Sequence, residues 1–451
     1  MSAIERQTSR LRSTFSPVRS NTTLTFTLLT ALTACTSAAD HFEAGASLEA
    51  RGEVVRAAER YIDALEKDGS LVEARERLEE LAPQVLALYL DRMEGARERE
   101  EFVLAADMLP DLDDFIEGAR DVGVTADPGP DYRGLRRTVH DEAIRQLFGA
   151  AATDRRDGRF SEALDGLERI ALYEPRSDDE RAVRREAIDT RMSWARHELD
   201  QGRLQASFLQ AGFAITIAGG PQTTDARAAV LLQEQALERG TVRLVGFPFE
   251  VGEDAAELSP GALTALHDRL LLEVWRQPPP FVFVIDPAVA RAAIRGGRYD
   301  EGGITTREAI RIGRTIDTDF VALGDIRSFS IAESDVKSTP ETARDRDGRT
   351  VTYHRITGRL SLDLRVALTL VEVGRGRVVE TSSFRVSRSG NFERASYNGD
   401  PADLRLSRSV RNLFAAGRMA SLRKDLEDRI VEEAARRFGQ RAFREVLSRI
   451  P

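Results

Sequence analysis

From residue 41 to about 124, apolar residues recur every three to four positions with few β-branched runs, which predicts helices. Asp127-Pro128-Gly129-Pro130 breaks this pattern. It then resumes and runs to Ala218-Gly219-Gly220-Pro221. A further helix at about 225–239 leads to a change of period. Residues 242–249 read as a buried strand. Residues 260–275 read as an amphipathic helix, with Leu263, Leu266, Leu270, Leu271 and Val274 on one face. Strands follow at 281–285 and 320–330, with helices at 287–295 and 305–315 between them. Residues 360–372 form a long predicted strand that pairs with 377–387 across a turn at Gly374 and Gly376. The tail, about 402–448, is helical again.

The helical half carries a register. His41, Ala44, Gly45 and Leu48 fall on a first helix, and Gly52, Ala57, Tyr61, Ala64 and Leu65 on a turn and second helix. Small residues let two helices cross closely, and Tyr61 fills the gap between neighbours. Leu147, Ala150, Ala151, Gly158, Phe160, Ala163, Leu167, Ile170 and Pro175 repeat the register. Trp194, Ala195, Gly202, Leu204, Ala211 and Ala214 form a weaker copy. The stretch resembles tetratricopeptide-repeat (TPR) proteins over roughly 41–217, with irregular spacing against a repeat of ~34 residues. The resemblance implies stacked helix pairs that capture a partner protein. A generic helical bundle is the other reading.

The N-terminus carries Arg6, Arg10, Arg12 and Arg19 against Glu5, then a short apolar run at 24–32 and Leu32-Thr33-Ala34-Cys35. A cationic region, an apolar core and small residues at a cut site make a secretory signal. The only cysteine stands at the cut, which resembles a bacterial lipobox. That resemblance implies a diacylglyceryl group on Cys35, and Thr36 after it favours the outer membrane. An ordinary signal peptide with a chance cysteine is the alternative. Cleavage would take the formal charge from −9 to −12, since four Arg and one Glu leave.

In the second half, a strand ending in Gly246-Phe247-Pro248-Phe249 is followed by helix, strand and two helices. Next come Ile312-Gly313, Thr318-Asp319-Phe320 and a strand into Gly324-Asp325-Ile326, and then a long strand over 364–373. This order resembles the periplasmic α/β domain of the curli-secretion lipoprotein (CsgG) family over about 241–390. The family resemblance implies an oligomeric outer-membrane pore whose subunits each extend two hairpins. The segments at the matching places, 328–362 and 384–410, are rich in Arg, Asp and Glu and lack an apolar band, which argues against insertion.

Composition narrows the chemistry. The chain has 451 residues, 41% hydrophobic and 31% charged, enough for packed cores. Its net charge of −9 argues against nucleic acid, and one cysteine excludes a disulfide framework. No apolar run is long enough for a spanning helix. There is no Walker loop, HExxH or GxSxG. The histidines, His41, His140, His197, His267 and His354, are scattered. Loop glycines such as Gly296-Gly297 and Gly302-Gly303 lack a phosphate-binding frame.

The expectation is therefore an α+β multidomain protein: a signal peptide (1–34), irregular TPR-like helical repeats (35–217), a linker helix (218–240) and a CsgG-like α/β sandwich domain with C-terminal helices (241–451). The expected function is a lipid-anchored, non-enzymatic scaffold or accessory protein of an outer-membrane assembly or secretion system, facing the periplasm. Its partners would be the membrane, through Cys35, and periplasmic or outer-membrane proteins, with a homo-oligomer possible. No cofactor, metal or catalytic residue is expected. The alternative is a CsgG-type export pore.

Overall fold

The computed structural model describes residues 37–270, 275–296, 304–415 and 417–451. Within them the protein is mixed α/β, with helices and one 6-stranded sheet of parallel and antiparallel pairs. It divides into two compact units. One runs to Gln201 and includes Ala206–Gln233; the other takes Gly202–Gln205 and Glu234–Pro451.

The first unit is helical: α1 (Ala38–Ala50), α2 (Val54–Lys67), α3 (Val72–Glu98), α4 (Phe102–Asp107), α5 (Leu109–Asp121), α6 (Tyr132–Arg156), α7 (Phe160–Arg169), α8 (Ser177–Asp200), α9 (Leu204–Ile217) and the start of α10 (Arg227–Gly240). Ser37 and Asp40 cap α1 reciprocally, Asp40 N to Ser37 Oγ at 3.2 Å and Ser37 N to Asp40 Oδ2 at 2.7 Å. The pairs α1–α2, α6–α7 and α8–α9 each turn on a glycine in the left-handed region, with φ of 76° at Gly52, 79° at Gly158 and 73° at Gly202. A side chain there would meet the following carbonyl, so glycine ends the first helix at low cost. Ala57, Ala58, Tyr61, Leu78, Met93 and Leu112 lie in a core that continues through α6 and α7.

The second unit is built on β1 (Val242–Gly246), β2 (Glu250–Val251), β3 (Val282–Val284), β4 (Phe320–Arg344), β5 (Thr350–Glu372) and β6 (Arg377–Ser396). Between them lie α11 (Pro260–Arg269), α12 (Pro287–Gly296) and α13 (Thr306–Thr315); α14 (Arg408–Arg411) and α15 (Gly417–Leu447) follow. The sheet order is β3-β1-β4-β5-β6, with β2 also beside β4. β1 is parallel to β3 and β4, and the β4-β5-β6 run is antiparallel.

Alternation along β5 sends Leu360, Leu362, Leu364, Val366, Leu368 and Leu370 to one face. There they pack on α11 and on Leu426, Ile430, Ala434, Phe438, Ala442 and Val446, a one-sided stripe of α15. Val371 and Val373 face the other way, against Ile312 of α13 and Ala290 of α12.

Strand lengths depart from the sequence expectation. β4 runs 25 residues, to Arg344, where the apolar pattern stops at 330, and β5 starts at Thr350 rather than 360. β6 extends to Ser396. Conversely, β1 stops at Gly246, because Phe247, Pro248 and Phe249 leave strand conformation before β2. The added lengths are held by cross-strand polar pairs, which hydrophobic periodicity does not register.

Candidate functional site

The repeat-like hairpins bring the expected residues together. Ala57, Ala64 and Leu65 are buried, and the Tyr61 ring stands against Gly45 and Phe42. The Tyr61 hydroxyl donates to Glu49 at 2.8 Å, which with burial raises its pKa. Two further tyrosines act the same way: Tyr132 donates to Asp113 at 2.8 Å and Tyr173 to Asp107 at 2.6 Å. Burial pushes the Tyr173 pKa up to about 12, so it stays a donor. Arg169 joins Asp107 from the same helix turn, at 2.9 Å. Two of these pairs tie successive helices, α1 to α2 and α5 to α6, and the third ties the turn after α7 back to α4.

The last repeat-like pair holds a cluster that the sequence reading missed. The Arg191 guanidinium lies 5.6 Å from the Trp194 ring centre and 4.8 Å from that of Phe213. It donates to Gln210 Oε1 at 2.7 Å. Burial lowers the Arg191 pKa from its ordinary value, though arginine remains charged. Trp194 stacks on Phe160 and donates to Glu198 at 2.9 Å. Trp194 was visible as a repeat position, and the Arg191-Trp194 spacing of three on a helix was the signal available. Phe213 and Leu209 are about two-fifths exposed, on a helix that is apolar on most sides.

The parallel strands end where α/β folds commonly place ligands, because the helices after β1 and β3 depart to opposite faces. Here that end is packed with aromatic rings. A Cβ on Gly246 would lie 2.1 Å from the Trp275 ring, and one on Gly324 would lie 2.2 Å from Phe249. Phe247 fills the other side among Val245, Ile285 and Ile312. Phe247 and Phe249 therefore serve the core.

The outer halves of β4, β5 and β6 form an arm of polar strands. Glu341 accepts from Tyr353 and from Arg355 (3.2 Å), and Arg355 also pairs with Glu393. Glu333 receives Arg394 at 3.2 Å through both carboxylate oxygens. The Tyr353 ring is buried against Phe414, 5.7 Å between centres. Arg405 N bonds Arg344 O at 2.7 Å, so the segment after β6 lies along the arm's end. The β4 edge is interrupted by a bulge between Ser334 and Lys337, where Asp335 has φ of 53°.

Of the histidines, His41 lies 3.3 Å from Asp63, His197 rests against the Phe160 ring, and His354 meets Ser338 on the arm. His140 is buried beside the Tyr173 ring, and burial lowers its pKa. Among the described residues, no group of three or more His, Cys, Asp or Glu could hold a metal ion. None of the described helices is long and apolar enough to cross a membrane. Cys35, the signal segment 1–34, Thr36, Gly297, Gly302 and Gly303 lie outside the described residues.

No protein-family model and no curated protein matches the chain. Among solved structures, the hypothetical protein CT253 from Chlamydia trachomatis is similar, at 16% identity, over 43% of this chain and 96% of that one. The TM-score is 0.20, at which the likeness does not establish a shared fold.

Proposed function

We propose that the protein is a lipid-anchored, non-enzymatic scaffold of an outer-membrane assembly or secretion system. Cys35 carries the lipid, TPR-like hairpins over about 41–217 hold a partner protein, and a CsgG-like domain over about 241–390 completes the chain. The observation that carries this reading is the recurrent hairpin. Three helix pairs turn on Gly52, Gly158 and Gly202 in one conformation, and Gly45 admits Tyr61 as close helix crossing requires. Such pairs stack into surfaces that bind helices or extended peptides. Tethering would confine that surface to one leaflet and raise the effective concentration of its partners.

The test of the anchor is a Cys35→Ser variant expressed in a bacterial envelope. Loss of acyl label and release from membranes is the expected result. Continued label on the variant overturns the lipid reading.

The second reading, a CsgG-type oligomeric export pore, draws on the arm of β4, β5 and β6, which run 25, 23 and 20 residues. The arm's chemistry weighs against it. A barrel hairpin needs one continuous apolar face and free edges for its neighbours. Here neither face is continuously apolar: Arg359 and Asp363 stand on one, and Glu333, Arg388 and Arg394 interrupt the other. On β6, Arg437 and Arg449 already donate to the edge carbonyls of Arg385 and Val379 at 3.1 and 3.0 Å. Planar-bilayer recording on detergent-extracted protein separates the readings. Absence of channel steps is expected; stable steps from large rings would replace the scaffold with the pore.

A further inference from the structure

Beyond the part that Val371 and Val373 bury against α12 and α13, the sheet face opposite the leucines carries no large apolar side chain over the four rows from Ser328 to Ser334. In the β4-β5-β6 register, Ser328, Arg365 and Arg385 stand in one row, and Ser330, Asp363 and Ser387 in the next. Ala332, Ser361 and Ser389 follow, then Ser334, Arg359 and Asn391. Alternation puts all of these opposite the leucines that meet α15. Arg359, Arg365 and Arg385 are exposed.

Their charges are incompletely matched. Arg365 and Arg385 face each other directly on neighbouring strands, an arrangement that costs stability unless an anion compensates. Asp363 serves only one of them: it accepts from Arg385 at 2.7 Å and from Ser387. Neither Arg359 nor Arg365 has a hydrogen-bond or ion-pair partner among the described residues. Three arginines less one aspartate leave this face at +2, on a chain of net charge −9. At its border Arg327 is matched by Asp325 at 3.4 Å, and further out Lys337, Arg355, Glu341 and Glu393 cancel.

The remaining chemistry selects the ligand. These four rows hold no aromatic ring, the nearest on this face being Tyr353, which is buried against Phe414, so neither sugar rings nor bases have anything to stack on. It lacks the large apolar anchors of a protein interface. Guanidinium groups and hydroxyls are donors suited to phosphate oxygens. Arg359 and Arg365 are six residues apart on one strand, roughly 20 Å at ~3.3 Å per residue, so one phosphate cannot serve both. A flat, donor-lined face with separated cations matches a planar array of phosphates.

We propose that this face binds the headgroup phosphates of an anionic lipid surface, through Arg359, Arg365 and Arg385 and the serine hydroxyls between them. The contact is independent of Cys35 and of the scaffold reading.

The experiment uses the full chain carrying Cys35→Ser, so that no acyl anchor contributes, in co-sedimentation with phosphatidylcholine vesicles with and without phosphatidylglycerol. Each arginine near such a surface contributes about fivefold to partitioning. R359S/R365S should therefore bind phosphatidylglycerol vesicles on the order of 25-fold more weakly than the parent. R359K/R365K should retain most of the binding, and added salt should abolish it. Unchanged melting of the serine variant confirms that folding is not the cause. Equal binding by parent and serine variant overturns the proposal. So does equal binding to vesicles without phosphatidylglycerol, or preferential binding of a single-stranded oligonucleotide over the vesicles.

Discussion

Gly45 and Tyr61 compete for one space: a Cβ at residue 45 would stand 2.8 Å from Tyr61 Cε1, and the tyrosine is fully buried. The ring has no route of retreat, since its hydroxyl is also held by Glu49 at 2.8 Å. Crossing of α1 and α2 therefore depends on a missing side chain.

Gly45→Ala tests this directly. Helix propensity alone favours alanine by about 1 kcal/mol. Overpacking of a filled site costs about 1–3 kcal/mol, and here it should win. The expected outcome is a net loss of about 1 kcal/mol, read as a lower urea midpoint by far-ultraviolet circular dichroism. A gain in stability would mean that the two helices do not cross this closely.

Acid should weaken the second unit through Asp363. Its bonds from Arg385 and Ser387 hold its carboxyl below the ordinary value of 3.8. A depressed folded pKa gives stability that is complete above the unfolded value and is lost as pH falls through the folded one. Glu433, bonded by Arg436 and Arg437, shifts the same way. The melting temperature should thus fall below about pH 4. Asp363→Asn should cost less than about 1 kcal/mol at neutral pH, because Arg385 is largely exposed, and should make the acid fall shallower. A parallel acid profile in the variant would remove Asp363 from this account.

Arg437 and Arg449 protect the free edge of β6 by donating to its carbonyls. An uncovered edge is a template for pairing with another chain. R437A/R449A should associate at concentrations where the parent is monodisperse, by light scattering. Arg436→Ala is the control, since Arg436 bonds Glu433 and Gln440 and does not reach the strand. Equal scattering by both variants would show that the edge is protected by something else.

The helical pairs were legible because their determinants are local. Gly52 and Gly158 sit between amphipathic segments, and alanines recur where helices touch. The strand at 281–285 and the helices at 287–295 and 305–315 were also readable, since each has one buried face with the matching period. The outer arm was not. Residues 331–344 carry Glu333, Asp335, Lys337, Glu341 and Arg344 and show no alternation of apolar residues. They form a strand because β5 supplies partners such as Tyr353 and Arg355, and β5 in turn gains Glu393 from β6. The Arg191 cluster was hidden for the same reason, as Phe213 and Gln210 come from the next helix.

By itself the sequence determined the order of the main helices and strands, the glycine turns and the helical tail that holds α15, because each depends on residues a few positions apart. Only the tertiary structure decided how far the strands of the arm extend, that Trp275 and Phe247 close the end of the parallel strands, and that Arg365 faces Arg385 across the open side of the sheet. Those outcomes rest on pairing between segments distant along the chain, where a charge or a ring acquires its meaning from what stands opposite it.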